Sequence, residues 1–394
     1  MAVTEFPARR GGTSLFYDPK VRGLVFQAVM LVALVSFVWW IIGNTAENLK
    51  RSNIASGFDF LNGRAGFDLA QTPIPFSSDS TYFRALVIGL LNTVIIAVLG
   101  IITAVLLGFM IGVGRLSRNW LIRKLSTIYV EIFRNIPPLL VIFFWYFGVL
   151  SVLPDPKQSI VLPLGGFLNN RGFFLPKAIW GEGAWLIAAG LVVGIIFSVL
   201  MRKWAHDRQM TTGQQFPVLW TSLAMIFGFP LLAYALTGFP LTFEFPTASR
   251  FNLSGGFQIK PEFLSLYLAL SIYTASFIAE IVRAGILGVS KGQSEAARAV
   301  GFREGATLRL VVIPQAMRTI IPPLTSQFLN LTKNSSLAIA IGYPDLVAVG
   351  GTILNQSGQA IEIVAIWMAV YLGLSITTSL FMNWFNAKVA LVER

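Results

Sequence analysis

Several runs of about twenty residues without a single charge constrain this chain more than any other feature. Leu24–Gly43, Ala85–Val113, Ile136–Leu153, Trp185–Met201 and Pro217–Leu236 are all of this kind. In hydrocarbon a segment must satisfy its own backbone polar groups, so such runs fold as transmembrane helices rather than strands or loops. Phe263–Val282, a segment opening at Ile320–Leu331, and Ala365–Phe385 complete the pattern. The expected fold is an all-α polytopic membrane protein with about eight transmembrane helices. Composition agrees: 12% of the 394 residues are charged, against roughly 25% in a soluble domain. The chain has no cysteine, which excludes disulfides, thiolate catalysis and cysteine metal sites. No cleavage-site pattern precedes the first span, so no removable signal peptide is expected.

The net charge of +12 is first a statement about orientation. With the N-terminus inside, inner segments hold Arg9, Arg10, Lys20 and Arg22, then Arg115, Arg118, Arg123 and Lys124, then Arg202, Lys203 and Arg208. They also hold Arg283, Lys291, Arg298, Arg303, Arg309, Arg318, Lys388 and Arg394. That is about two-thirds of all basic residues, as the positive-inside rule requires. Both termini are therefore expected in the cytoplasm, with long external loops at Asn44–Tyr82, Pro154–Gly183 and Thr237–Pro261. Trp39 and Trp40 close the first span at interface depth. His206, the one histidine, sits in the basic loop placed at Arg202–Arg208 and reads as solvated surface. No basic run with interleaved aromatics supports nucleic-acid binding.

Ser290–Pro314 is a polar, charged island between two apolar blocks, and the orientation places it in the cytoplasm. Ser290 and Gln293 have capping-box spacing, which predicts a helix start with both orphan donors satisfied. Gly301 stands where a helix stop belongs. A second short helix is expected from Arg303 to Ile313, with Pro314 ending it or restarting the next. Most loops between spans are plain connectors. A capped helix with a small apolar face argues instead for a preformed docking element.

Glu295, Ala296, Ala297, Gly301, Val311, Ile313 and Pro314 stand at the spacing of the EAA loop, and the island resembles that loop of ATP-binding-cassette (ABC) importer permeases. Val311 and Ile313 are mild aliphatic departures from it. The stretches Tyr129–Phe147, Ala279–Gly301 and Leu331–Leu337 are similar to the polar amino-acid uptake permeases. The resemblance implies a type I importer core over 84–150 and 262–394. An extra N-terminal part at 1–83 and an inserted helix pair within 151–261 depart from the compact pattern. That layout is similar to the Q-type permeases of general L-amino-acid transporters. The resemblance further implies that 290–314 is a coupling helix held by a separate ATPase subunit, which binds ATP and magnesium. It also implies a second, homologous permease, a periplasmic amino-acid-binding protein, L-amino acids as cargo and a place in the bacterial inner membrane.

Asn330, Lys333, Ser335 and Ser336 lie in a segment that would otherwise span. A charge inside a span costs at least ~2.5 kcal/mol, so Lys333 needs a cavity or a partner. A substrate pathway and an internal ion pair explain it equally well, with Glu280 the candidate carboxylate. Pro137-Pro138 and Pro322-Pro323 are expected to kink or interrupt their spans, the first pair reading best as a helix start. Glu131 and Arg134 are three apart, which predicts a local ion pair. No phosphate-binding G-x-x-x-x-G-K-[S/T] loop occurs, so ATP hydrolysis is expected in another chain. No metal-ligand cluster and no nucleophile–base pair is legible, so no catalytic residue and no cofactor is assigned to this chain. A secondary transporter or channel is the competing class; it predicts intramembrane carboxylates or inverted repeats, and neither is conspicuous. An intramembrane enzyme is the third, and it lacks a catalytic constellation.

Overall fold

The computed structural model describes residues 19–51, 57–248 and 253–389. Arg9, Arg10, Arg250 and Arg394, counted in the charge balance, lie outside them. Packing begins with two glycine-bearing helices, α2 (Tyr82–Gly114) and α7 (Pro261–Leu287). Gly108 faces Ile278 and the Ala275 carbonyl, and Gly112 faces Val282 and the Ala279 carbonyl. Lipid offers no hydrophobic drive for helices to associate, so close backbone approach at small residues supplies the van der Waals contact instead. The two registers rise together, which makes the helices parallel. The helix α10 (Ile313–Asn334) runs the other way: Gly285 faces Ala316 and Ile320, whereas Gly100 faces Leu331. Ile96, Leu266, Leu270, Ile278, Ile320, Ile321 and Leu331 fill the space between them.

Among the described residues six helices are long and apolar enough to cross a membrane, and two bent helix pairs bring the total to 8 when each counts as one span. Besides α2 and α7 the six are α1 (Pro19–Arg51), α5 (Trp185–Thr212), α6 (Val218–Leu236) and α12 (Ala360–Val389). The first bent pair joins α3 (Trp120–Asn135) to α4 (Pro138–Phe143), which continues to Leu150, at 111°. Pro137 is the N-cap of α4 and Pro138 its first residue, the position where a missing N–H costs nothing. The second pair joins the helical run Glu304–Ile341 to α11 (Leu346–Ser357) at 52°. Pro322 and Pro323 were expected to interrupt this span, yet α10 is helical straight through them, and the bend falls after Ile341.

Three other expectations change. Arg202–Arg208 is not a loop but the last turns of α5. The external loops are not structureless: β1 (Ile160–Leu162), β2 (Gly166–Asn169), β3 (Gly172–Leu175) and β4 (Lys177–Trp180) precede α5, while β5 (Leu241–Glu244), β6 (Thr247–Ala248), β7 (Leu253–Ser254) and β8 (Phe257–Ile259) follow α6. Antiparallel pairing of β3 with β8 and of β4 with β5 zips the two loops together, so the α5–α6 hairpin leaves and rejoins the rest of the chain at one place. The segment before α2 is likewise folded: Phe60, Leu61, Phe67 and Phe76 pack on α11 and α12, and the Gly57 N–H donates to Glu362 at 2.9 Å.

A Cβ on Gly112 would stand 2.7 Å from the Ala279 oxygen, a backbone atom that cannot yield without separating α2 from α7. Gly112→Ala should therefore cost ~1–3 kcal/mol and lower the thermal unfolding midpoint of the purified protein. Gly373→Ala in α12, with open space around the added carbon, should leave that midpoint unchanged or raise it slightly.

Candidate functional site

Within 290–314 the first helix is α8 (Lys291–Ala299). Ser290 is its N-cap, but the capping box does not form. The Gln293 N–H donates to the Ser290 carbonyl at 3.0 Å, and the Gln293 side-chain oxygen accepts instead from Gln315 at 3.1 Å. That bond ties α8 to α10. The far end is closed by a full Schellman pair: Gly301 N–H donates to the Arg298 carbonyl and Phe302 N–H to the Ala297 carbonyl. Gly301 takes φ +90°, a conformation that a side chain at this position would strain.

The second helix begins one residue later than expected, as α9 (Glu304–Thr307), and does not end at Pro314. It continues through a π turn at Leu308–Val312 into α10. Pro314 has no N–H to extend the ladder, and the deficit falls in this widened turn. Ala297 is buried against the π turn, while Glu295, Ala296 and Gly301 face outward with Val300, which is 79% exposed. Val311, Ile313 and Pro314 are half-buried beneath them. A salt bridge from Arg118 to Glu304 fastens the unit to the turn after α2. Arg118, Ser294, Arg298 and Leu308 border a cleft of about 250 Å³ there.

Behind this unit lies a charge cluster. Glu280 on α7 accepts from Arg115 at the C-cap of α2 and from Arg283 at 2.5 Å, with Arg134 of α3 at 3.9 Å. Arg115 also lies 3.8 Å from Glu131. Glu131 and Arg134 thus pair with other helices, not with each other as their spacing predicts. Glu280 is likewise committed to arginines and has no ion pair with Lys333.

Of the sequence-derived pathway residues, Asn330 borders a polar cavity. Asn330, Gln327 and Asn334 of α10 face Tyr273, Thr274 and Phe277 of α7 across about 260 Å³. Lys333 is exposed and is not in the lining of this cavity, Ser335 donates to the Thr332 carbonyl, and Ser336 donates to the Lys333 carbonyl. Gln327 and Asn334 were legible in principle, being three before and four after Asn330 on one helix face. A second feature escaped sequence reading, a buried polar knot at the break before α11. The Asn92 amide donates to the carbonyls of Gln71 and Pro344 at 3.1 and 2.9 Å. Tyr343 donates to the Asn92 carbonyl at 3.2 Å, Leu346 N–H donates to Thr93, and Asp345 caps α11 at Ala348. These bonds satisfy backbone groups that a broken helix leaves open at membrane depth.

A multi-pass bundle with a braced, outward-facing surface element and a polar interior cavity is the architecture of a transporter's membrane subunit. Residues 187–391 match the family described as the binding-protein-dependent transport system inner membrane component. The General L-amino acid transport system permease protein AapQ of Rhizobium johnstonii is 65% identical over 381 residues, covering 97% of this chain and 95% of that protein. The Putative amino-acid ABC transporter permease protein YhdX of Escherichia coli is 50% identical over 384 residues, 97% and 98% of the two chains. The Glutamate/glutamine/aspartate/asparagine transport system permease protein BztB of Rhodobacter capsulatus is 41% identical over 428 residues and covers both chains fully. The chain belongs to the binding-protein-dependent transport system inner membrane components, the permease subunits of ABC importers, and is a multi-pass inner-membrane protein. This membership sets aside the secondary-transporter and channel reading.

Replacing Glu280 by Gln removes the negative charge and puts an NH₂ donor where one of the two oxygens that accept from Arg115 and Arg283 stood, in a largely buried place. Glu280→Gln should cost ~1.5–3 kcal/mol, the range for hydrogen bonds to charged groups. The check is the thermal unfolding midpoint in detergent, where Glu131→Gln, at the more exposed and longer contact, should shift it far less.

Proposed function

We propose that this permease carries L-amino acids inward and is driven at 290–314 by a separate ATPase chain that binds the ATP and magnesium. The observation that carries this reading is the outward face of α8. Glu295, Ala296 and Val300 are presented to solvent by a helix whose two ends and inner face are all tied down. A loop serving only as a connector has no use for such bracing. Glu295, Ala296 and Gly301 form the docking surface, and the buried Ala297 with Val311, Ile313 and Pro314 forms its support. Amino acids as cargo follow from the relatives, all three of which are named for amino-acid transport.

The parallel α2 and α7 and the antiparallel α10 suit the alternating topology, and we place both termini and 290–314 in the cytoplasm on the strength of the basic residues. The 84–150 and 262–394 parts form the permease core, 1–83 adds the first helix, and 151–261 is an insertion. A periplasmic binding protein supplies the cargo, and a second, homologous permease completes the path. Along that path the neutral amides of Gln327, Asn330 and Asn334 offer hydrogen bonds to a polar solute without trapping it in an ion pair. Glu280, held by arginines, and Lys333, Ser335 and Ser336, away from the cavity, are assigned to structure.

Gly301→Asp and Glu295→Lys should each cut uptake of labelled L-amino acids on the order of tenfold or more, since ~1.4 kcal/mol of lost docking is already tenfold. Permease in the membrane fraction, read by immunoblot, should stay constant. Normal uptake by both variants refutes the docking assignment. Asn330→Leu should separate the two roles. Uptake should fall on the order of tenfold, the scale of one lost hydrogen bond in a dry site, while ATP hydrolysis by the assembled transporter persists.

A further inference from the structure

A second cavity lies off the path just described. It encloses about 540 Å³, within the ~300–1,000 Å³ typical of ligand sites. Ile95 and Leu99 of α2 and Ile259 and Phe263 around the start of α7 form its apolar walls, and Lys260 and Gln71 its polar rim. Carrying the α2–α7 register back from Gly108 and Ile278 sets Lys260 level with the turn of α2 around Leu91. Ile95 and Leu99 then lie one and two turns deeper in the span. Polar groups thus sit at the depth of headgroups and apolar ones at the depth of acyl chains. Leu99 and its neighbours Val98 and Ile102 are exposed, so the apolar end opens to the bilayer.

We propose that this cavity binds one anionic phospholipid, from the leaflet opposite 290–314. The charge selects the headgroup. Lys260 is half-buried at the rim and forms no ion pair among the described residues, and a cation at the membrane surface favours an anionic lipid. Ile95, Leu99, Ile259 and Phe263 cover an acyl chain, and Gln71 gives the phosphate a hydrogen-bond donor. Glu262, the nearest carboxylate in sequence, is not in the wall; it accepts from Tyr146 at 3.2 Å. The loop that carries Gln71 is also held by Asn92, so a lipid seated here would bear on the knot that supports the break before α11.

The test is independent of cargo, so its outcome does not hang on the amino-acid reading. The assembled transporter is placed in nanodiscs of phosphatidylcholine with a minor fraction of phosphatidylglycerol, and retained lipids are counted by native mass spectrometry. Wild type should keep phosphatidylglycerol in excess of its share. Lys260→Gln should weaken that preference roughly fivefold, the scale of one basic residue at the surface, and Lys260→Arg should preserve it. Leu99→Trp, which fills the apolar end, should reduce retention of both lipids. Equal phosphatidylglycerol retention by wild type and Lys260→Gln overturns the proposal. So does a Leu99→Cys variant that crosslinks to the second permease, because a protein would then occupy the cavity.

Discussion

The contact of α2 with α7 through Gly108 and Gly112 is the constraint on which the rest of the protein depends. In lipid, two helices gain little by touching unless their backbones come close. Gly112 meets the Ala279 carbonyl, and the next residue on α7 is Glu280. The same contact that seats the helices therefore brings Glu280 to Arg115, the residue that caps α2. Arg134 and Glu131 of α3 join from the side. A charge cluster of this kind would be expensive if its members had to find one another in a flexible site. Here van der Waals packing fixes the geometry, and the ions only complete it.

The second consequence concerns α10. From Glu304 to Ile341 the backbone is one helical run, with a π turn beside Pro314 and a 3-10 stretch at Ser335–Ile341 beyond Asn330. Asn330 lies 26 residues beyond Glu304, about 39 Å along a helix rising 1.5 Å per residue. On the docking reading proposed above, a displacement at 290–314 would reach the polar cavity through this one helical run, with the π turn at Leu308–Val312 on the way. Had Pro322 and Pro323 broken the helix, the push would have dissipated before reaching Asn330. The bend comes after Ile341, past the cavity, where Asn92, Tyr343 and Asp345 hold the exposed backbone groups.

Legibility in the sequence follows the length scale of each interaction. Uncharged runs of span length are local and one-dimensional, so the presence of the helices is legible, while α1, α5, α10 and α12 extend well past the apolar runs that mark them. Gly301 was readable because a Schellman stop is decided by a few adjacent residues. The Glu131–Arg134 pairing was not, because both side chains have stronger partners from α2 and α7 that adjacency cannot reveal. Arg202–Arg208 read as a loop because charge was equated with the end of a span. A helix can instead carry its basic residues past the apolar zone, and Arg202 keeps a bond to Ser222 of α6. The strands of the insertion were invisible for a related reason. Each is two to four residues long, and the two pairings that join the loops, β3–β8 and β4–β5, lie across the α5–α6 hairpin.

That hairpin also shows why the insertion can exist. Gly190 meets the Phe229 carbonyl and Gly194 the Met225 carbonyl, so α5 and α6 solve the lipid packing problem between themselves. The β3–β8 and β4–β5 pairs bring the two strand-bearing loops together outside the spans. The helix α4, with the turns that follow it to Leu150, and α7 can then pack as they would if the chain passed directly between them, and Tyr146 reaches Glu262 across the join. A module that packs on itself and is closed at its base perturbs neither the α2–α7 contact nor the Glu280 cluster. The free apolar faces of α5 and α6 then meet lipid, as does α1, none of whose described side chains is buried.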